Sequence, residues 1–125
     1  DPNRRRNTYF YRWKLDMEAM RAATDCIVGT HDFACFMAAG SQVTDTVRTV
    51  YSLELAKIDD VITMTIQGNG FLYNMVRIIA GTLIQVGRGQ LEPGQIADII
   101  KKGERKNAGP TAPAKGLTLK VIDYE

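Results

Sequence analysis

The sequence has 125 residues, a formal net charge of +2 at pH 7, 45% hydrophobic and 24% charged residues. These values are typical of one globular domain and exclude a disordered or collagen-like chain. The charge is too small to indicate a nucleic-acid-binding protein by itself. Two cysteines are too few for a secreted disulfide scaffold and are predicted to be free thiols. The most apolar stretch, 71–86, contains Asn74, Arg77 and Gln85 and makes a poor membrane span.

The first 14 residues form a basic arm with five Lys or Arg and one acid. Two interpretations stay open: a solvated linker that follows a preceding domain, and an arm that contacts phosphates. The chain opens on a loop-like run without Met, so we expect a fragment of a longer protein. Residues 1–14 would then be the linker and 15–125 the domain.

The first predicted element after the arm is a helix. Asp16 is its predicted N-cap, apolar residues recur at helical spacing up to Ile27, and Gly29 is the predicted C-terminal stop. We expect residues 30–46 to form an irregular connection.

The clearest strand pattern lies at 47–57 and 61–68. A turn at Asp59–Asp60 would pair Leu55 with Met64 and Leu53 with Ile66, which places these apolar side chains on one face. Val47 and Tyr51 are predicted to share that apolar face. The opposite face is predicted to be polar and to carry Arg48, Ser52, Glu54, Thr63, Thr65 and Gln67.

The rest of the sequence predicts two helices, a loop and a strand. Residues 71–87 form a helix with Arg77 nearly opposite the apolar stripe, and Gly81 close to Arg77 suggests a close approach by a backbone or ligand. A second helix opens at Pro93, a loop follows at 103–116, and a strand runs from Leu117 to Tyr124. The order predicts an α+β fold, a mainly antiparallel sheet with helices packed on one face.

No catalytic group is convincing from spacing alone. A pair of His31 with Cys35 is conceivable, but a surface histidine and a buried thiol are the more ordinary interpretation. The histidine and cysteines lack zinc-ligand spacing, so we expect no metal.

One group of residues suits phosphate or carboxylate recognition. It combines guanidinium groups with amide and phenol side chains near the predicted polar sheet face. For Arg77 the alternative is a structural ion pair, and for Arg48 and Arg88 it is a solvated charge. The candidate site residues are Arg48, Asn69, Tyr73, Asn74, Arg77 and Arg88.

Four segments carry a family resemblance: GTHDFACF, VRTVYSLEL, GNGFLYNMVRIIAGTLIQVGRG and AGPTAPAKGLTL. They closely resemble the C-terminal half of the bacterial tRNA pseudouridine synthase A (TruA) family. The resemblance implies a half with a ferredoxin-like or RNA-recognition-motif-like layout. It also implies a cytoplasmic homodimer that isomerises uridine in the tRNA anticodon stem-loop without a cofactor.

The resemblance gives site residues only in part. It assigns Arg77, in the MVR motif, to the active site as the partner of a catalytic aspartate; Arg48 and Asn69 match family positions of less certain role. The GRTDAG-like loop that carries the aspartate nucleophile in the family is absent from these 125 residues. The expected protein is therefore a half that is inactive without its N-terminal partner.

Two other functions stay open. One is a stand-alone RNA-binding module that uses its sheet surface, although the predicted polar face offers Ser52, Glu54, Thr63 and Thr65 rather than stacking rings. The other is a domain that binds a small ligand or a protein.

Overall fold

The computed structural model describes residues 15–37, 45–58, 61–72, 74–110 and 117–123. Predictions for the basic arm, the Asp59–Asp60 turn, Tyr73 and residues 111–116 lie outside this part of the chain. The elements are α1 (Met17–Ile27), β1 (Gly29–Asp32), β2 (Val47–Ile58), β3 (Val61–Gly68), α2 (Met75–Gly87), α3 (Gln95–Lys102) and β4 (Leu117–Asp123), with short 3-10 turns at Ala34–Phe36 and Arg105–Asn107.

Helix α1 begins at its predicted cap and ends at Ile27, the last predicted apolar position. The Asp16 carboxylate accepts a hydrogen bond from the Ala19 amide at 3.1 Å, which satisfies one of the amides that a helix start leaves unpaired. The C-cap is Val28, and Gly29, the predicted stop, follows it with a φ of +118° and also opens a strand.

Strand β1 lies where an irregular connection was predicted. Its four residues pair antiparallel with 47–50, and the hydroxyls of Thr30 and Thr49 lie 2.7 Å apart across the pair. The sequence GTHD has no apolar alternation that would have marked a strand.

The β2–β3 hairpin has the predicted register beyond residue 52. Leu55 pairs with Met64 and Leu53 with Ile66, and all four side chains are buried. A register shift between Val50 and Ser52, a β-bulge, reverses the alternation before it. The observed pattern differs from the prediction at three positions. Val47 and Tyr51 are 46% and 52% exposed, and Arg48 falls on the face of the buried Val50 rather than that of Ser52.

Helix α2 has more buried residues than any other described helix. It begins at Met75, four residues later than predicted, and its predicted apolar stripe is buried at Met75, Ile79, Leu83 and Val86. The side of Arg77, predicted to be polar, is buried too at Ala80, Gly81 and Ile84, and so are Ile78 and Thr82, which lie between that side and the stripe. Among the described residues no helix is long and apolar enough to span a bilayer.

The described sheet has the strand order β1-β2-β3-β4. The pairs β1–β2 and β2–β3 are antiparallel, and β4 pairs parallel with β3 from Ile62–Leu117 to Gly68–Asp123. Helix α3 buries its three isoleucines, starts two residues after Pro93 and ends at Gly103 in the left-handed region. The α+β class is confirmed. The ferredoxin-like layout is not, because these strands lie side by side in chain order.

Candidate functional site

The first part of the candidate site is the point where β3 ends beside the start of β2. The Thr49 amide donates to the side-chain oxygen of Asn69 at 2.8 Å, and the Asn69 amide donates to the Thr49 carbonyl at 3.0 Å. A Cβ on Gly68 would lie 2.7 Å from the same carbonyl oxygen, so the backbones meet too closely for a side chain there. Asn69 thus prolongs the β2–β3 pairing past the end of the strand.

Arg48 is held against this connection. Its Nη1 donates to the carbonyls of Asp45 at 2.8 Å and Val47 at 2.7 Å. A Cβ on Gly70 would lie 3.5 Å from the Arg48 Nε, and Gly70 has a φ of +145° that favours glycine. The Arg48 guanidinium is therefore held in one position by backbone acceptors and is not a freely solvated charge.

The second part of the site is the N-terminal end of α2. Asn74 occupies the N-cap position in the left-handed region, with φ 58° and ψ 9°, and its side chain makes no capping hydrogen bond. Asparagine tolerates this conformation better than most residues. Arg77 follows three residues later, one turn into the helix, and is half-buried. The positive end of the helix dipole lies at the same end as Asn74 and Arg77, which favours an anionic partner there.

The structure brings some predicted site residues together and separates one. Arg48, Asn69 and Asn74 lie on or against the β3–α2 connection, which leads into the turn that holds Arg77. Arg88 is the C-cap of α2. It lies eleven positions after Arg77, about 16 Å along the axis at 1.5 Å per residue.

Cys35 and His31 do not form a nucleophile pair. Burial, with a smaller contribution from the nearby Asp32 charge, raises the pKa of the Cys35 thiol to about 12, so the thiol is neutral at physiological pH. The His31 ring contacts Phe33 edge-on, and its Nε2 lies 3.2 Å from the Val28 carbonyl oxygen. Within the described ranges, no three His, Cys, Asp or Glu side chains are grouped to hold a metal ion.

The sequence reasoning missed two structural residues. Gly70 was identifiable from the Asn-Gly pair, which is typical of a turn. The other is Thr82, which is buried in α2 and bonds the backbone of Gly109. No local pattern signals a contact across 27 residues of chain.

The fold and site together define an α+β domain that presents a guanidinium group beside a helix N-terminus. A family model described as tRNA pseudouridine synthase matches residues 23–125, so the chain belongs to the tRNA pseudouridine synthase family. The chain is 48% identical over 124 residues to tRNA pseudouridine synthase A of Brevibacillus brevis, covering 99% of the chain and 51% of that relative.

Two further relatives carry the same name. The protein of Thermoanaerobacter sp. is 46% identical over 123 residues, 98% of this chain and 50% of its own length. That of Exiguobacterium sp. is 44% identical over 125 residues, 100% of this chain and 51% of its own length. The chain thus spans about half the length of the curated relatives it matches.

Proposed function

We propose that the chain is the C-terminal half of a tRNA pseudouridine synthase that isomerises uridine in the anticodon stem-loop. The observation that carries the proposal is a family match over most of the chain together with coverage of only half of each relative. The lack of a GRTDAG-like loop in these 125 residues agrees with a nucleophilic aspartate in the other half. The reaction needs no cofactor in this proposal, and the intact enzyme works in the cytoplasm as a homodimer.

The reaction requires an ionised carboxylate in a closed site. The glycosidic N1–C1′ bond breaks, the base turns and a C5–C1′ bond forms. C5 then loses its proton and N1 gains one, so atoms balance without a co-reactant. A uridine turned out of its stack excludes water and raises the pKa of a neighbouring carboxyl group, whereas a nearby guanidinium lowers that pKa. Arg77 is the group of this half that we assign to the second effect.

Its position supports that role. Arg77 is half-buried on a helix that is buried on almost every other side, and it stands one turn from the N-terminal end. The part of such a side chain nearest the backbone is held by the packed helix, and the charged end is directed away from the core stripe. The favourable helix dipole at this end adds to the attraction for the carboxylate.

The connection before α2 supplies the wall of the cleft in this proposal. Arg48, Asn69 and Asn74 would contact tRNA phosphates and the target nucleotide, with Arg48 already ordered by its two carbonyl acceptors. Arg88 stands too far along α2 to share one nucleotide with Arg77 and would contact a different part of the tRNA backbone.

Replacing Arg77 in the full-length enzyme tests the proposal. Arg77→Gln should lower kcat at least about a hundredfold, because a transition-state charge loses its opposite partner, while the thermal midpoint changes little. Pseudouridine formed in an unmodified tRNA transcript is the measured quantity. The control is Arg21→Gln, an exposed arginine on α1 that donates to the Leu55 carbonyl at 3.4 Å. A wild-type rate for Arg77→Gln contradicts the assignment.

One observation favours a second function, an RNA-binding module without catalysis. The β-bulge leaves Tyr51 52% exposed, which gives the sheet an aromatic ring that the predicted polar face lacked. This function predicts that the full-length protein binds tRNA and forms no pseudouridine, so the same assay separates the two.

A further inference from the structure

The loop that follows α3 touches the backbone of α2. The Gly109 amide donates to the Thr82 hydroxyl at 2.9 Å, and both residues are buried. A Cβ on Gly109 would lie 2.7 Å from the Thr82 Cα and 2.9 Å from its amide nitrogen. Glycine is therefore required at this position because loop and helix backbones are in contact.

The backbone amide and the backbone carbonyl of Gly109 both have hydrogen-bond partners within the protein. Its carbonyl accepts from the Arg105 Nη1 at 2.8 Å, while its amide bonds Thr82. The 3-10 turn Arg105–Asn107 packs against the earlier turn Ala34–Phe36. The loop is thus attached to a second part of the core, so its position is fixed independently of α2.

The Thr82 hydroxyl connects the loop that contains Gly109 to α2. It donates to the Ile78 carbonyl at 2.8 Å, four residues back, and uses its oxygen to accept from Gly109. Thr82 is the one hydroxyl-bearing residue in the sequence of α2, whose other buried side chains are apolar. Apolar packing has little directional preference, whereas a hydrogen bond has a preferred distance and angle.

A directional contact on a helix fixes the rotation of that helix about its axis. Thr82 follows Arg77 by five residues, which places the two side chains about 140° apart around the helix. With an outer helix radius of about 5–6 Å, a rotation of ~10° would displace a group at the surface by about 1 Å. Displacements of this size can cost an enzyme about a hundredfold in rate.

We propose that Thr82, through its contact with Gly109, is a positioning residue that sets the direction of Arg77 for the isomerisation. The inference rests on the proposed function of Arg77. It assigns a role to the AGP segment and to the buried hydroxyl, neither of which belongs to the cleft described above.

The test is a threonine series in the full-length enzyme. Thr82→Val keeps the shape and leaves the buried Gly109 amide without its acceptor, whereas Thr82→Ser keeps both hydrogen bonds. We expect Thr82→Val to lower kcat about tenfold or more with KM for tRNA within about twofold, and Thr82→Ser to restore kcat. Assays are run well below the unfolding midpoint of each variant, so that loss of folded enzyme does not enter.

The matched control is Thr24→Val. Thr24 is also a buried helical threonine, and its hydroxyl donates to the Arg21 carbonyl of its own helix at 2.6 Å. This variant should keep the wild-type kcat. Hydrogen exchange of the peptide that contains Gly109 gives a readout independent of activity: exchange should accelerate in Thr82→Val and stay slow in Thr82→Ser.

Three results overturn the inference: a wild-type kcat for Thr82→Val, a loss that falls entirely on KM, or no recovery with Thr82→Ser. Its failure differs from failure of the proposed function. An inactive wild-type enzyme refutes both, whereas an inactive Arg77→Gln enzyme beside a fully active Thr82→Val enzyme refutes the positioning role alone.

Discussion

Two asparagines of the candidate site have backbone roles besides the predicted contact with RNA. Asn69 accepts from the Thr49 amide with its side chain, and Asn74 holds a left-handed conformation at the start of α2. Replacing either residue therefore alters the fold as well as any ligand contact. For Asn74, substitution by glycine separates the backbone role from the ligand contact, because glycine accepts the left-handed conformation and removes only the side chain.

Burial of Cys35 gives the stability a dependence on alkaline pH. Its folded-state pKa is raised to about 12, chiefly by burial, above an unfolded value of 9.0. As pH rises, the thiol ionises in the unfolded state before it does in the native state, so the native state holds more protons between these two pKa values. The stability that the neutral thiol contributes below pH 9 is therefore lost as pH rises through this range. The free energy of unfolding should fall by about 1.4 kcal/mol per pH unit above pH 9 through this group.

The measurement is denaturant unfolding at pH 7 to 10 of the wild type and Cys35→Ala. All other ionisable groups are common to both proteins, so their effects cancel in the difference between the two free energies of unfolding. The stability advantage of the wild type should therefore shrink above pH 9. Cys26→Ala is the control for removing a cysteine, since Cys26 is only half-buried. A difference that stays constant with pH would contradict the prediction.

At the scale of elements, the hairpin was predictable where the apolar alternation is unbroken. The pairs Leu53–Ile66 and Leu55–Met64 follow from period two and a two-residue turn. The bulge at Tyr51 was not predictable, because Val47, Tyr51 and Leu53 alternate well enough to hide an extra residue. The extra residue of the bulge also places Arg48 on the other face of the sheet. The missed bulge therefore made the predicted position of a candidate site residue wrong.

Helix α2 shows a different limit of sequence pattern. The amphipathic pattern located its core stripe correctly at Met75, Ile79 and Leu83. It did not predict that positions outside the stripe are buried as well, because covering them depends on Gly109 and other residues distant in the chain. A helix with few polar positions is compatible with one covered face or with two.

The contact between α1 and α2 depends on the absence of a side chain at Gly87. A Cβ there would lie 2.5 Å from the Met20 Sδ and 3.2 Å from the Leu15 Cδ2. Gly87→Ala should destabilise the protein by about 1–3 kcal/mol by overpacking, although alanine favours a helix. Thermal or denaturant unfolding measures the loss.

A double-mutant cycle locates the cause. Met20→Ala removes the side chain that the new methyl group would meet, so the combined loss should be smaller than the sum by about 0.5–3 kcal/mol. Gly94→Ala is the control, since no atom lies within 4 Å of the position of its Cβ and its φ is −66°. Additive losses for Gly87→Ala and Met20→Ala would show that they do not meet.

For the whole molecule, the small net charge of +2 does not oppose a tRNA-binding role. Phosphate recognition depends on where cations stand rather than on their sum. Arg48 and Arg77 lie at or near one end of α2 and Arg88 at the other, so α2 carries guanidinium groups near both ends. The family match covers half of each relative, so the charge of this half is only part of the field that a tRNA would meet.

The proposed active site is divided between two halves of the intact protein. If the aspartate nucleophile belongs to the other half, the 125-residue chain alone should form no pseudouridine in unmodified tRNA, even at enzyme concentrations equal to the tRNA. The protein extended to the length of its relatives should form it, and the extended Arg77→Gln protein should lose that activity. Liquid chromatography of the nucleosides from digested tRNA measures the product, because it separates pseudouridine from uridine, which has the same mass. Turnover by the 125-residue chain would show that a nucleophile lies within this half, and the assignment of Arg77 as the partner of an aspartate from elsewhere would then be wrong.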